Sequence, residues 1–216
     1  MGIHDVLFRS LEEHGWAVSD DLVPAALVTS LRDHAHHLWH QGSFKPAGIG
    51  RNAGATHNAQ IRGDAISWLH HNDATPACAG FLAWASTLQH DLNQHFFLGL
   101  RRCELHFARY EPGRGYARHV DQHRGVQARK VSLVLYLNEA WNAGDGGELR
   151  LFAREASAQA ASNTPEAQNG SEAPTTSILP VGGRLAIFLS DMPHEVLPAR
   201  QTRWSLTGWF RSDDEG

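Results

Sequence analysis

KVSLVLYLN (residues 130–138) and RWSLTGWFR (residues 203–211) decide the fold, because each is a short run of β-forming residues bounded by turn residues. Six further short runs of this kind occupy the chain after Leu98, separated by Gly, Pro and polar turns; they start at residues 100, 115, 147, 176, 183 and 194. Eight short strands in the second half of a chain favour a jelly roll or a related barrel. We therefore predict a mainly β core of the double-stranded β-helix (jelly-roll) type, with flanking helices in an α+β arrangement.

The first half of the chain predicts packing helices. Leu7 and Leu11 recur at helical spacing up to Gly15, a second helix begins behind Pro24, and a third runs from Pro76 to about Gln94. Between the second and third helices, residues 42–60 contain four glycines and few large apolar side chains, which predicts a mobile lid. Residues 154–177 have only alanines as apolar residues at their centre and predict a disordered insertion between two strands.

Bulk properties bound the class of protein. The 216 residues fit one domain, with residues 1–97 as helical support and lid and residues 98–211 as the β core. The net charge of −4 and the absence of a basic run argue against a nucleic-acid partner. Two cysteines, an N-terminus without a signal-peptide core and no long apolar run lead us to expect a cytoplasmic protein that does not enter a membrane. We also expect a monomer.

The sequence His119-Val120-Asp121, with a second histidine at His194, is the strongest chemical motif. Two imidazoles and one carboxylate on one face of a metal ion leave three coordination positions open, a pattern typical of non-haem Fe(II) oxygenases. The same His-x-Asp motif also occurs at residues 71–73, in a polar turn. We expect the pair at 119 and 121 to lie on a strand, where positions i and i+2 project from the same face.

Arg203 begins the last strand and shares one face with Ser205, Thr207 and Trp209. A buried arginine needs a counter-charge, and its strand neighbours supply none. A dicarboxylate ligand would satisfy it, because a guanidinium matches a carboxylate through two parallel bonds. A structural salt bridge to an Asp or Glu of the chain is the alternative.

Six segments in order resemble the 2-oxoglutarate- and Fe(II)-dependent oxygenases, and among them the prolyl hydroxylases of the oxygen-sensing type. They are IRGDAISWL (61–69), YARHVD (116–121), LYLNEAW (135–141), GGELRLF (146–152), FLSDMPHEVLPA (188–199) and RWSLTGWF (203–210). The resemblance implies Fe(II), 2-oxoglutarate and O2, with ascorbate as a candidate reductant. It also implies a protein substrate that carries the target proline.

Carried over residue by residue, the resemblance implies the following roles. His119, Asp121 and His194 would bind iron, and Arg203 and Tyr136 would bind the distal carboxylate of 2-oxoglutarate. The same pocket would be lined by Tyr110, Thr207 and Trp209, although Glu111 is an extra residue in the RYEPG that resembles the family's Tyr-Pro-Gly. Asp64 and Arg129 match family positions that pair near the mouth of the site, and Arg62 lies in the same IRGD segment.

The sequence leaves the roles of His106 and of a histidine cluster on the second helix undecided. His106 shares a strand face with Tyr110, so it is either a pocket residue that touches substrate or cosubstrate, or a satisfied core histidine. Among the four histidines between residues 34 and 40, His36 and His40 share one helical face that would suit a transition metal. A solvated surface is the plainer interpretation of that cluster.

Several rival functions require residues that differ from those present. A halogenase would have a small residue in place of Asp121. Nucleobase demethylases with this core resemble Arg-x-Asn-x-Thr-x-Arg on the last strand, where this chain has Arg203, Ser205, Thr207 and Trp209 and so lacks the second arginine. A noncatalytic metal-binding module has no need for Arg203 and Tyr136 together. The resemblance favours a peptidyl-proline hydroxylase, with elongation factor Tu as the candidate substrate. The alternative is a hydroxylase of a free amino acid or small metabolite.

Overall fold

The computed structural model describes residues 3–48, 58, 61–122, 127–154 and 173–214. These residues include three α-helices, α1 (Ile3–His14), α2 (Ala25–His40) and α3 (Pro76–Phe96). The first ends before Gly15, which has φ +80°, and the second begins directly after Pro24. All three predicted helices are therefore confirmed. Within the described ranges, no helix combines the length and the apolar character required to cross a membrane.

Eleven strands accompany the helices in the described ranges. They are β1 (Trp16–Ser19), β2 (Lys45–Pro46), β3 (Asp64–Leu69), β4 (Arg102–Tyr110), β5 (Tyr116–His119), β6 (Arg129–Tyr136), β7 (Leu149–Leu151), β8 (Thr176–Ile178), β9 (Leu185–Leu189), β10 (His194–Val196) and β11 (Arg203–Arg211). Strands β4 to β11 correspond to the eight predicted runs. The region before residue 98 contributes three strands as well as helices, which the sequence analysis did not predict.

The strands form two antiparallel sheets, which confirms the predicted jelly-roll class. The larger sheet has seven strands in the order β1-β9-β6-β11-β4-β3-β2, and the smaller has the order β5-β10-β7-β8. Strand β8 begins at Thr176, so the predicted insertion of residues 154–177 overlaps a strand at its end. Residues 155–172, and residues 49–57, 59 and 60 of the predicted lid, lie outside the described residues.

Alternation along the central strands creates two separate cores. On β6, Val131, Leu133 and Leu135 pack with the helices, while Val134 and Tyr136 pack in the core that contains residues of the smaller sheet. The large sheet is thus apolar on its helical side. Its other side carries the residues that sequence analysis placed in a pocket.

Candidate active site

Two histidines from neighbouring strands of the smaller sheet face one carboxylate. His119 ends β5 and His194 begins β10, and the two are directly paired in the ladder. Their Nε2 atoms lie 3.8 Å and 3.6 Å from the carboxylate oxygens of Asp121. One ligand atom from each of the three residues lies within 4.8 Å of the others, so the structure brings the predicted triad together.

Backbone carbonyl groups fix the orientation of both imidazole rings. Nδ1 of His119 lies 2.8 Å from the carbonyl oxygen of Ala117, and Nδ1 of His194 lies 2.9 Å from that of Met192. Since a carbonyl only accepts, each Nδ1 is the protonated nitrogen. Each Nε2 therefore keeps its lone pair for a metal, the arrangement usual for ligating histidines.

Asp121 lies beyond the end of β5, because the strand ends at His119. The expectation that residues 119 and 121 share a strand face is therefore wrong. The Asp121 carboxylate is held from the larger sheet, where the Ser132 hydroxyl donates to it at 2.6 Å and lies 2.9 Å from the Ser190 hydroxyl. The Asp121 amide donates to the Ser190 carbonyl at 3.1 Å. Side chain and backbone are both fixed without a strand ladder.

The electrostatics of the triad suit a divalent cation. Burial lowers the pKa of His119 to about 3, and the neighbouring His194 acts in the same direction. Burial raises the pKa of Asp121, but the two histidines and the Ser132 hydroxyl outweigh this and hold the pKa below its ordinary value. The site therefore offers a neutral His119 imidazole and an ionised Asp121 carboxylate, the protonation states that metal binding requires.

Arg203 is buried at 2% exposure on the larger sheet. Its Nε donates to the Gly147 carbonyl at 3.0 Å, and its guanidinium carbon lies 5.2 Å and 5.0 Å from the ring centres of Tyr110 and Tyr136. No carboxylate pairs with it in the part of the chain that the structure describes. The Tyr136 hydroxyl is also buried and has no hydrogen-bond partner there. The hydroxyl thus lies close to the guanidinium without reaching hydrogen-bond geometry, and Tyr136 itself is not among the residues that line the cleft described below.

The remaining predicted pocket residues lie around one cleft of about 930 Å³, which includes both the triad and Arg203. Tyr110, Thr207 and Trp209 line it. Trp209 directs its indole towards the Asp121 carboxylate without reaching hydrogen-bond geometry. One face of the Trp209 indole is covered by Arg129, whose guanidinium carbon lies 3.4 Å from the ring centre.

The expected Asp64–Arg129 salt bridge is wrong. Asp64 forms a two-bond ion pair with Arg62, with N···O distances of 2.8 Å and 3.1 Å. Arg129 lies 3.3 Å from Glu104 instead. The register explains the difference, since Asp64 is opposite Tyr110 at one end of β4, whereas Arg129 is opposite Arg211 at the far end of β11.

His106 is both a core histidine and a residue of the pocket wall. It is buried at 1% exposure and lines the cleft. Its ring lies 4.9 Å from that of Trp68 and 5.4 Å from that of Trp209, and its Nδ1 has no hydrogen-bond partner among the described residues. Burial, with Arg62 acting in the same direction, lowers its pKa to about 4. His106 is therefore a neutral core histidine in the cleft wall.

Four residues at the site escaped the sequence analysis. Ser132 and Ser190 hold Asp121, Glu104 pairs with Arg129, and the Tyr116 ring stacks on His119 at 3.6 Å. One sequence signal was available, because Ser132 is a polar residue within the apolar run VSLVLYL and had to face the pocket side of its strand. The other partners depend on strand register, which local sequence does not specify.

A model of the 2OG-Fe(II) oxygenase superfamily matches residues 105–211, the part of the chain that carries the triad and Arg203. The chain belongs to this superfamily and, within it, to the prolyl hydroxylase-like members. A solved prolyl-4-hydroxylase from Pseudomonas putida is 38% identical, with a TM-score of 0.80, over 98% of this chain and 100% of that chain.

Animal prolyl hydroxylases are also similar. A solved prolyl hydroxylase from Trichoplax adhaerens, in complex with a hypoxia inducible factor peptide, is 25% identical with a TM-score of 0.77, over 96% of this chain and 88% of that one. Egl nine homolog 1 of Homo sapiens is 31% identical over 95% of this chain and 46% of that protein. The Caenorhabditis elegans hypoxia-inducible factor prolyl hydroxylase is 29% identical over 99% of this chain and 29% of that protein. The chain thus spans half or less of these two curated relatives.

Proposed function

We propose that this protein hydroxylates a prolyl residue of a protein substrate, using Fe(II), 2-oxoglutarate and O2. The observation that carries the proposal is the buried Arg203, which has no acidic partner in the described structure and shares one cleft with the triad of His119, Asp121 and His194. A buried cation of this kind is costly unless an anion pairs with it. The distal carboxylate of 2-oxoglutarate supplies that anion.

Each residue has a definite task in this proposal. His119, His194 and Asp121 would hold Fe(II), which would supply the oxidising chemistry with O2 as oxidant: one oxygen atom of O2 enters the succinate formed from 2-oxoglutarate as CO2 leaves, and the other enters the proline. Arg203 and the Tyr136 hydroxyl hold the distal carboxylate and so orient the cosubstrate. The Phe188 ring packs 4.7 Å from that of His194, and an apolar neighbour lowers the local dielectric constant and so strengthens the charge interactions of the site.

The rim of the cleft supports a peptide substrate over a small one. Val120, between two of the triad residues, is 43% exposed, and Trp68 at the same cleft is 44% exposed. Exposed apolar side chains at the mouth of a pocket suit a bound chain segment. The predicted alternative, a free amino acid or small metabolite, would favour a narrow enclosed pocket.

Elongation factor Tu is our proposed protein substrate, on the basis of the resemblance to bacterial enzymes that look like modifiers of this factor. The similarity to the Pseudomonas putida prolyl-4-hydroxylase over nearly the whole chain supports a bacterial-type substrate. We infer a cytoplasmic setting, which the two unbonded cysteines support because free thiols persist in reducing compartments. The expected monomer stays a prediction, which light scattering after size-exclusion chromatography checks.

The test is incubation of the purified protein with Fe(II), 2-oxoglutarate, ascorbate, O2 and elongation factor Tu, followed by peptide mass spectrometry and succinate measurement. We expect a gain of one oxygen on one proline, matched by succinate. His119→Ala should abolish both while the fold remains intact by circular dichroism. His71→Ala, in the second His-x-Asp motif, is the matched control and should retain both.

Two results would contradict the proposal at different levels. Succinate coupled only to a free amino acid would replace the protein substrate with the small-molecule alternative. Succinate production that survives His119→Ala would remove the triad from the reaction altogether.

A further inference from the structure

A second group of metal-ligating side chains lies away from the triad, where α2, α3 and the loop before α3 meet. His34 lies in the middle of α2, Asp73 lies in the loop between β3 and α3, and Cys78 is in the first turn of α3. One nitrogen, one oxygen and one sulfur atom of these residues lie within 4.8 Å of one another. His36 and His40 are the histidines whose helical spacing suits a metal, but the His36 ring packs 4.7 Å from that of Trp204.

The hydrogen bonds of this group leave ligand capacity unused. Asp73 accepts from the Thr75 amide at 2.9 Å and from the Thr75 hydroxyl at 2.7 Å, both through Oδ1. This turn fixes the carboxylate at the beginning of α3. The Nε2 atom of His34 is buried and has no hydrogen-bond partner among the described residues. His34 therefore brings unused ligand capacity to a cluster that also contains a carboxylate and a thiol, as a metal site requires.

We propose that His34, Asp73 and Cys78 form a second metal site, specific for Zn²⁺ or a chemically similar divalent transition ion. Imidazole, carboxylate and thiolate are all zinc ligands, and three protein ligands with one further position for water complete a tetrahedral site. The oxygenase triad contains no sulfur, so the two sites differ in the ions that they prefer. This inference goes beyond the proposed function and does not depend on it.

Metal binding at this site is linked to release of a proton. The Cys78 side chain is fully buried. Because a metal binds the thiolate form of cysteine, the incoming cation displaces the thiol proton to solvent as the metal–sulfur bond forms.

The site would also connect the helices to the cleft. Asp73 belongs to the cleft lining, while His34 and Cys78 lie on the two helices behind it. A bound ion would fix the loop between β3 and α3, which carries part of the cleft wall. The site would thus stabilise the helical layer and the cleft wall together.

Cobalt(II) titration of the whole protein distinguishes the two sites. Binding at the second site should produce a near-ultraviolet thiolate-to-cobalt charge-transfer band, which the triad cannot give because it lacks sulfur. Equilibrium dialysis with zinc should find two bound ions in the wild type. Cys78→Ser and His34→Gln should each remove the band and one ion, weakening zinc binding there by more than about 100-fold, since loss of even an outer-shell partner costs about 10- to 100-fold.

Controls separate this result from damage to the fold. Cys103→Ser removes the other thiol and His37→Gln removes an exposed histidine of the same helix; both should keep the band. His119→Ala should lose the first ion and keep the band. One zinc ion per wild-type chain with no charge-transfer band would overturn the proposal, as would a band that survives His34→Gln in a variant with the native circular dichroism spectrum.

Discussion

Arg203 differs from a surface arginine such as Arg101 in what surrounds its guanidinium. It is held by the Gly147 carbonyl and two tyrosine rings and meets no carboxylate in the described ranges. Arg101, by contrast, is exposed and pairs with Asp214 at 2.6 Å. A buried guanidinium retains its full charge, so a ligand that brings a carboxylate gains a strong, directed interaction.

Arg203→Lys should therefore weaken 2-oxoglutarate binding. The ammonium group cannot form two parallel bonds to a carboxylate, and each such bond contributes about 1.5–3 kcal/mol. We expect the KM for 2-oxoglutarate to rise about 10- to 100-fold, with a smaller effect on the KM for the protein substrate. Arg101→Lys is the matched control and should leave both constants unchanged. Equal KM values in Arg203→Lys and the wild type would refute this role.

His106 makes the fold sensitive to acid. Its pKa falls from the ordinary value of 6.5 to about 4 because the folded protein buries it, so between these values the unfolded chain binds a proton and the folded protein does not. The free energy of unfolding therefore decreases as pH falls through this window. From pH about 7 to about 5, His106 should account for a loss of about 2 kcal/mol.

Urea unfolding of His106→Gln at these two pH values measures the effect. The variant should lose about 2 kcal/mol less than the wild type on acidification. His37→Gln, on the exposed face of α2, should lose as much as the wild type. An identical acid response in His106→Gln and the wild type would contradict the assignment.

Strand β11 is the element on which the pocket depends, because it pairs with both β4 and β6 at the centre of the large sheet. Gly208 permits the close pairing with β4. A Cβ atom added there would lie 2.1 Å from the Glu104 carbonyl oxygen and 2.7 Å from a methyl group of Leu105. The backbone at this point has no room for a side chain.

Gly208→Ala should accordingly lower the free energy of unfolding by about 1–3 kcal/mol or more, the usual cost of overpacking. Because Thr207 and Trp209 flank this position, 2-oxoglutarate binding should weaken as well. Gly144→Ala is the matched control, since nothing lies within 4 Å of the added Cβ. Chemical denaturation of both variants measures their free energies of unfolding. Equal values for Gly208→Ala and Gly144→Ala would show that β11 and β4 can move apart to accept a Cβ atom without loss of stability.

The faces of β11 could be predicted from sequence because a strand alternates with a period of two, whatever it pairs with. Arg203, Thr207 and Trp209 consequently line the cleft as expected. The partner of Asp64 could not be predicted in the same way, since the register between β3, β4 and β11 decides which charges meet. Strand β3 itself was not predicted, because its residues lie between the predicted lid of residues 42–60 and the polar turn before α3.

At the scale of the whole molecule, the site joins the two sheets. His119 and His194 belong to the smaller sheet, whereas Arg203 and Tyr136 belong to the larger one. Ser132 of the larger sheet already holds Asp121 beside the histidines. Metal together with 2-oxoglutarate would complete a connection between the sheets through the cleft.

Anaerobic addition of Mn(II) and 2-oxoglutarate should thus stabilise both sheets. Each ligand at 100 times its Kd contributes about 2.7 kcal/mol. In hydrogen exchange, Mn(II) alone should protect β5 and β10, and 2-oxoglutarate should extend the protection to β6 and β11. Arg203→Lys should lose only the second part. Protection that stays confined to the smaller sheet with both ligands present would show that the cosubstrate does not bind Arg203.

The end of β5 at His119 has a consequence for how this scaffold can change. The histidines are locked together in a ladder, but Asp121 follows the strand and is held by serine hydroxyls and one backbone bond. Evolution or design can therefore replace the carboxylate and leave both imidazoles in register. A small residue at position 121 would vacate one place on the metal for an external anion, giving a route from hydroxylation to another reaction on an unchanged framework.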